Sequence, residues 1–354
     1  GRINFDNSGL SSDKLSANIS GIAIEAKGSL KNFQSPLLNA DIISSNLDLA
    51  IVQAMLKEKM QINLAASILG KANLRLNIET SIPSGAPKIK GYLDIANTLI
   101  KPDKTAYPVE KIIARLEFDP SGITWSEAAF EFMGIPYETS GALVDFKSPA
   151  VKLKLESRYL LLNSDFSFKE RKIKIAKCDG EYFNSKFSLA GDIDINDSAN
   201  PSSRLNGTSD IELSNLKDIF KKSAEKIAKA KLRGKVSAEF TLEGNAAKIK
   251  DCAIRLGLSS RSISAYGLEG SGFSLEYNQS EGLADIVSAR MDLYGGILEA
   301  TAKMNLKSDN LPWWIAASMQ GVKLEELKRD TAMKDKNIAG TVQAQAKVNG
   351  FSNN

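Results

Sequence analysis

The side chain that most often moves protons near neutral pH is missing, for the 354-residue chain contains no histidine. Ser-His-Asp and Cys-His arrangements are thereby excluded, as are His-ligated zinc and haem. Other reactive spacings fall short one by one. Asp192, Asp194 and Asn196 imitate the start of a calcium loop, but its sixth position is Asp197 where a glycine is needed and its twelfth is Ser203 where a glutamate is needed. They read as the wet side of a strand. Ser-x-x-Lys occurs at Ser11/Lys14, Ser214/Lys217 and Ser223/Lys226 without the Lys-Thr-Gly that gives it meaning. Gly267, Gly270 and Gly272 stand in the wrong order for a dinucleotide loop. Cys178 and Cys252 have no C-x-x-C spacing; they permit one disulfide, and two buried thiols are the plainer reading. A glycosidase would need two acids about 5–10 Å apart in a cleft, and nothing singles out such a pair. The expectation is a protein that is not an enzyme, with no cofactor and no metal.

What would position such residues is better marked than the residues themselves. Ala72, Leu74, Leu76 and Ile78 alternate with Asn73, Arg75, Asn77 and Glu79. The same period of two returns at Val151, Leu153 and Leu155, at Val236, Ala238, Phe240 and Leu242, at Ala302, Met304 and Leu306, and at Val342, Ala344, Ala346 and Val348. Successive strand side chains point to opposite faces, so each run has one oily and one wet side. Such alternation, separated by Gly, Asn, Asp and Ser turns, predicts antiparallel strands in a meander. Hydrophobic residues make up 43% and charged residues 25%, the balance of a folded chain. The net charge of +4 is too small and too spread out for a nucleic-acid surface. An outer-membrane barrel is disfavoured by an aromatic content of 7% and by the lack of girdles flanking the strands.

Three stretches depart from the alternation and predict short helices: Leu47 to Met60, Leu216 to Leu232 and Val322 to Met333. Each is followed by a glycine and a strand, at Gly70, Gly234 and Gly340, and these glycines are expected to stop the helices. The contexts repeat. Asp41-Ile-Ile-Ser-Ser-Asn-Leu returns as Asp210-Ile-Glu-Leu-Ser-Asn-Leu. Gly21, Gly28, Leu30, Phe33, Ser35 and Pro36 match Gly134, Gly141, Leu143, Phe146, Ser148 and Pro149, all 113 residues downstream, with looser copies from Phe183 to Pro201 and from Gly295 to Pro312. Duplication of a β unit explains this, and the uneven spacing argues against a tight solenoid. The organisation expected is one continuous repetitive β array over 1–354, part of a longer protein, with approximate units at 15–80, 128–160, 178–250 and 290–350.

The glycine-punctuated strand pair, the Asp41-to-Leu49 run opening a helix, and Ser318-Met-Gln-Gly-Val-Lys-Leu-Glu-Glu-Leu together resemble the AsmA-like family of bacterial envelope proteins, kin to bridge-like lipid-transfer proteins. The resemblance implies an elongated antiparallel sheet curved into an apolar groove. It further implies a periplasmic location, inner-membrane anchoring of the full-length protein, and support of phospholipid transport or outer-membrane assembly. The partners implied are phospholipid acyl chains and a membrane at one or both ends through segments outside this sequence, with no nucleic acid. The physical logic is simple. Transferring ~30 acyl methylenes out of a bilayer needs an apolar surface worth roughly 24 kcal/mol at ~0.8 kcal/mol each.

The groove residues expected on this reading are Leu74, Leu76, Ile78, Val151, Leu153, Leu155, Val236, Phe240, Leu242 and Val348. The same alternation also builds the closed core of a β-sandwich, which would make the protein a structural or adhesive module with no lipid cargo. Two lesser signals have bland counterparts. The basic stretch from Lys217 to Lys235 can lie on an anionic membrane, or be a solvated face whose apolar stripe packs on the sheet end. Trp313-Trp314 can anchor at a bilayer interface or plug one end of a core.

Overall fold

The computed structural model describes residues 1–61, 63–82, 87–103, 107–197, 200–331 and 333–352. Two compact units divide the chain, Gly1–Leu161 and Leu162–Asn354. The first contains β1 (Arg2–Asp6), β2 (Gly9–Ile19), β3 (Ile22–Lys31), β4 (Leu37–Asp48), helix α1 (Leu49–Met60), β5 (Ala66–Ser81), β6 (Lys88–Pro102), β7 (Val109–Asp119), β8 (Gly122–Phe132), β9 (Ile135–Val144) and β10 (Ala150–Ser157). Each strand pairs antiparallel with the next in sequence. The division falls inside β11 (Leu160–Lys169).

The second unit is a meander of the same kind. It runs through β12 (Lys172–Tyr182), β13 (Ser185–Asp194), β14 (Ser202–Glu212), helices α2 (Leu216–Ile219) and α3 (Ala224–Ala230), β15 (Arg233–Gly244), β16 (Ala253–Ala265), β17 (Leu268–Ser280), β18 (Leu283–Leu293), β19 (Gly296–Asn305), β20 (Pro312–Lys323), helix α4 (Leu324–Leu327) and β21 (Thr341–Phe351). From β12 onward every consecutive pair is antiparallel. The fold is therefore all-β and antiparallel with a few short helices. Among the described residues the ladder does not close, for β1 pairs with β2 alone and β21 with β20 alone.

The repeats have a structural counterpart in one backbone clasp. The N–H of Asn32 donates to Ser8 O at 2.9 Å, Asp145 to Ser121 O at 2.8 Å, Ile195 to Arg171 O at 2.9 Å and Leu306 to Gly282 O at 2.7 Å. Each clasp ties the end of a hairpin to the turn before it, once in each of the four motif copies. The turn ahead of the first two is an aspartate turn: Asp6 Oδ1 accepts from Ser8 N and Gly9 N, and Asp119 Oδ1 from Ser121 N and Gly122 N. The carboxylate satisfies backbone donors that the reversing chain leaves unpaired.

Helices are shorter than the sequence suggests and stop differently. α1 begins on Asp48, whose carboxylate accepts from Ala50 N and Ile51 N, and it ends on left-handed Gln61. The stretch Leu216 to Leu232 is split by Phe220, whose φ of −103° and ψ of 66° cannot continue a helix, and α3 ends on left-handed Lys231. Val322 lies in β20, which leaves α4 only four residues. Gly70 and Gly234 are not helix stops but lie within β5 and β15, where the register slips between Leu69 and Lys71 and between Gly234 and Ser237. A Cβ on Gly70 would run into Thr98 of the neighbouring strand. The glycine serves close strand approach at a bulge.

Connections from even- to odd-numbered strands leave by one edge of each meander, and all the α-helices lie in such connections. In the second unit the turns beside them are tied in. Tyr266 N donates to Ala230 O at 2.6 Å, and Tyr294 Oη donates to Asp330 Oδ2 at 2.6 Å. This edge is a helical rim.

Candidate apolar face

Cross-strand register carries the alternation from strand to strand without a phase error. In the first unit Ala26, Ile42, Leu76, Gly91, Phe118, Ile123, Leu143 and Val151 are successive partners from β3 to β10. Leu74 with Leu93, Leu153 with Gly141, and Ile78 with Ala40 and Ile89 lie on adjoining rungs of the same face, as does Leu155. The second unit repeats the construction through Cys178, Leu189, Gly207, Phe240, Leu256, Tyr277, Ile286, Ala302, Ile315 and Val348, one residue from each of ten strands. Val236 and Leu242 flank Phe240 on that face. All ten residues expected to line a groove are thus on the apolar faces, six in the first unit and four in the second. Bulges keep the phase, since each slip within a strand is absorbed before the next apolar position.

The opposite faces are charged. Lys27 meets Asp41 at 3.2 Å, Arg115 meets Asp94 at 3.6 Å, Arg204 meets Glu243 at 2.8 Å, Arg290 meets Glu299 at 3.2 Å and Lys303 meets Asp285 at 3.5 Å. Each is a directly opposed cross-strand pair, the arrangement that favours register over raw stability. Hydrogen bonds from Ser237, and then from Lys235, hold the Asp210 carboxyl below the ordinary range. Asn77, then Lys27, do the same for Asp41.

Exposure distinguishes a covered face from an uncovered one. Residues of the inner face of a sandwich are buried by the second sheet. Here Leu74, Leu76, Leu153, Leu189, Phe240, Leu256, Leu258, Tyr277 and Ile286 are all only half-buried, although most have strands on both sides. Full burial is confined to positions such as Leu47, Ala72, Val236 and Val322. Val348, on the free edge of β21, is 51% exposed. The depressions of the second unit, about 270 to 610 Å³ and open to solvent, lie on its polar face, lined by side chains such as Lys186, Asp210, Glu239, Arg255 and Glu276.

One polar cluster on the apolar face of the second unit was not legible in the sequence. Gln279 is buried and donates to Cys252 O at 3.1 Å and to Ile249 O, while Tyr277 Oη donates to Gln279 Oε1 at 2.7 Å. Their phase after Phe273 and Leu275 was the available signal. The bonds fasten the 246–251 turn to the sheet, over the buried Cys252. Both cysteines are free thiols, and burial pushes both upward in pKa, away from thiolate chemistry. Asp192 and Asp194 lie in β13, and Asp194 accepts from Asn196 within the turn that follows. Trp313 faces the apolar side over Gly350, and Trp314 the other side at 37% exposure. Among the described residues no group of three or more His, Cys, Asp or Glu side chains is placed to hold a metal, and no helix is long and apolar enough to cross a membrane.

Comparison with known proteins finds no matching family model, no matching curated protein and no matching solved structure.

Proposed function

We propose that the apolar faces accommodate phospholipid acyl chains, and that the protein is a lipid-carrying groove or bridge of a bacterial envelope. The observation that carries this reading is a continuous apolar face, ten strands wide in the second unit, most of whose large residues stay half-buried or exposed. An apolar surface of that extent is costly to leave in water. Acyl chains cover it without specific contacts, and charged head groups remain outside. The resemblance to the AsmA-like family supports the same reading, with a periplasmic location and inner-membrane attachment of the full-length protein. Catalysis plays no part in it. Half-burial of the apolar residues argues against the closed sandwich, whose inner face needs no external occupant.

Native mass spectrometry with lipid extraction tests the proposal on protein purified from a bacterial host in mild detergent. Several phospholipids retained per chain are expected. A lipid-free, monodisperse mass would overturn the reading and leave the apolar face to a protein partner.

A further inference from the structure

The connection between β14 and β15 concentrates charge. Leu216 to Lys235 holds eight basic residues against two acidic ones, a larger excess than the +4 of the whole chain. The remaining residues are therefore net negative. Within the segment Leu216, Ile219 and Ile227 are half-buried and Ala230 is buried, so the apolar stripe is spent on the protein itself. Lys217, Lys221, Lys226, Lys229, Lys231 and Arg233 are exposed. Of these, only Lys229 has an ion pair among the described residues, with Glu225 at 2.7 Å.

An apolar ring stands among these cations. Phe220 occupies the break between α2 and the next turn and is 56% exposed. A solvated helix face gains nothing from a phenyl ring in water. A bilayer surface offers both halves of a match, anionic head groups for the lysines and an apolar boundary for the ring. The cations are nearly all lysines, point charges without the planar fork that reads bases or clasps single phosphates. We infer that this segment of the helical rim docks on an anionic lipid bilayer, its lysines against the head groups and Phe220 seated between them. The inference goes beyond lipid carriage by the apolar face and stands or falls separately.

Flotation of the full chain with vesicles tests it. Binding is expected to vesicles containing phosphatidylglycerol and not to pure phosphatidylcholine, weakening as salt rises. Replacing Lys221, Lys226 and Lys231 together by serine should reduce partitioning on the order of a hundredfold, about fivefold per charge. F220S should reduce it several-fold with all charges in place. All four side chains are exposed, so far-UV circular dichroism should be unchanged. Equal flotation with both vesicle types, or an unaltered triple variant, would overturn the inference. So would binding to a duplex oligonucleotide as tight as to the anionic vesicles and indifferent to F220S. Lipid retained in native mass spectra should be the same in the triple variant, which separates this test from that of the apolar face.

Discussion

Three glycines on the apolar faces lie directly beneath aromatic rings, Gly350 under Trp313 among them. A Cβ on Gly207 would sit 2.8 Å from Phe240 Cε1, and one on Gly141 would collide with the Trp125 indole across the strand pair. The bare backbone lets each ring lie flat against the sheet, so a bulky residue adds area to the face without raising it. Gly207→Val would press on the Ser188 carbonyl of the neighbouring strand as well as on the Phe240 ring, and should cost about 1–3 kcal/mol in urea unfolding, the usual range for overpacking. An unchanged midpoint would mean that both the strand spacing and the ring adjust at no cost. Thr98 presents the opposite case, since its hydroxyl is buried and has no hydrogen-bond partner among the described residues. Thr98→Val keeps the shape and removes the orphaned group. It should stabilise the protein by about 1 kcal/mol, seen as a higher melting temperature.

Strands on an uncovered sheet should respond to truncation less than their composition suggests. Leu256 lies mid-strand in β16 between two paired neighbours yet is only half-buried, whereas Val322 at the end of β20 has no exposed surface. In delipidated protein Leu256→Ala should cost about 1 kcal/mol, below the 2–5 kcal/mol of a core leucine. Val322→Ala should cost about 2 kcal/mol although fewer atoms are removed. Chemical denaturation of the two variants checks the order. A larger loss for Leu256→Ala would indicate that another layer covers this face in solution. Helix α1 of the first unit depends on its cap as well. Asp48→Ala removes the acceptor for Ala50 N and Ile51 N and should cost about 1 kcal/mol, with α1 rather than the sheet losing ellipticity.

Without histidine, no side chain of ordinary pKa titrates between about pH 5 and pH 8. Asp41, Asp179 and Asp210 are held below the ordinary carboxylate range: Asp41 chiefly by Asn77, Asp179 by Lys177 and then Ser188, and Asp210 by Ser237. A depressed folded-state pKa gives stability that is complete above the unfolded value, near 3.9, and is lost as pH falls through the folded one. The melting temperature should therefore be flat from about pH 5 to pH 8 and fall below about pH 4. A step between pH 6 and pH 7, followed by calorimetry, would contradict this account.

Much of this architecture is legible in the amino-acid order because a strand's side-chain period of two is local. Leu74, Leu76, Val236 and Phe240 announce their shared phase within a few residues, and the copies of the Gly-Leu-Phe-Ser-Pro motif announce duplication. The helix ends were misjudged, for Gly70 and Gly234 are needed by neighbouring strands and not by the helix before them. Gln279 was missed because its partners, Ile249 and Cys252, come from a turn about thirty residues earlier. Alternation alone determined which residues share a face. Whether that face is covered was decided only by the tertiary structure, since a sandwich core and an open face share one sequence pattern and differ only in what packs across from it.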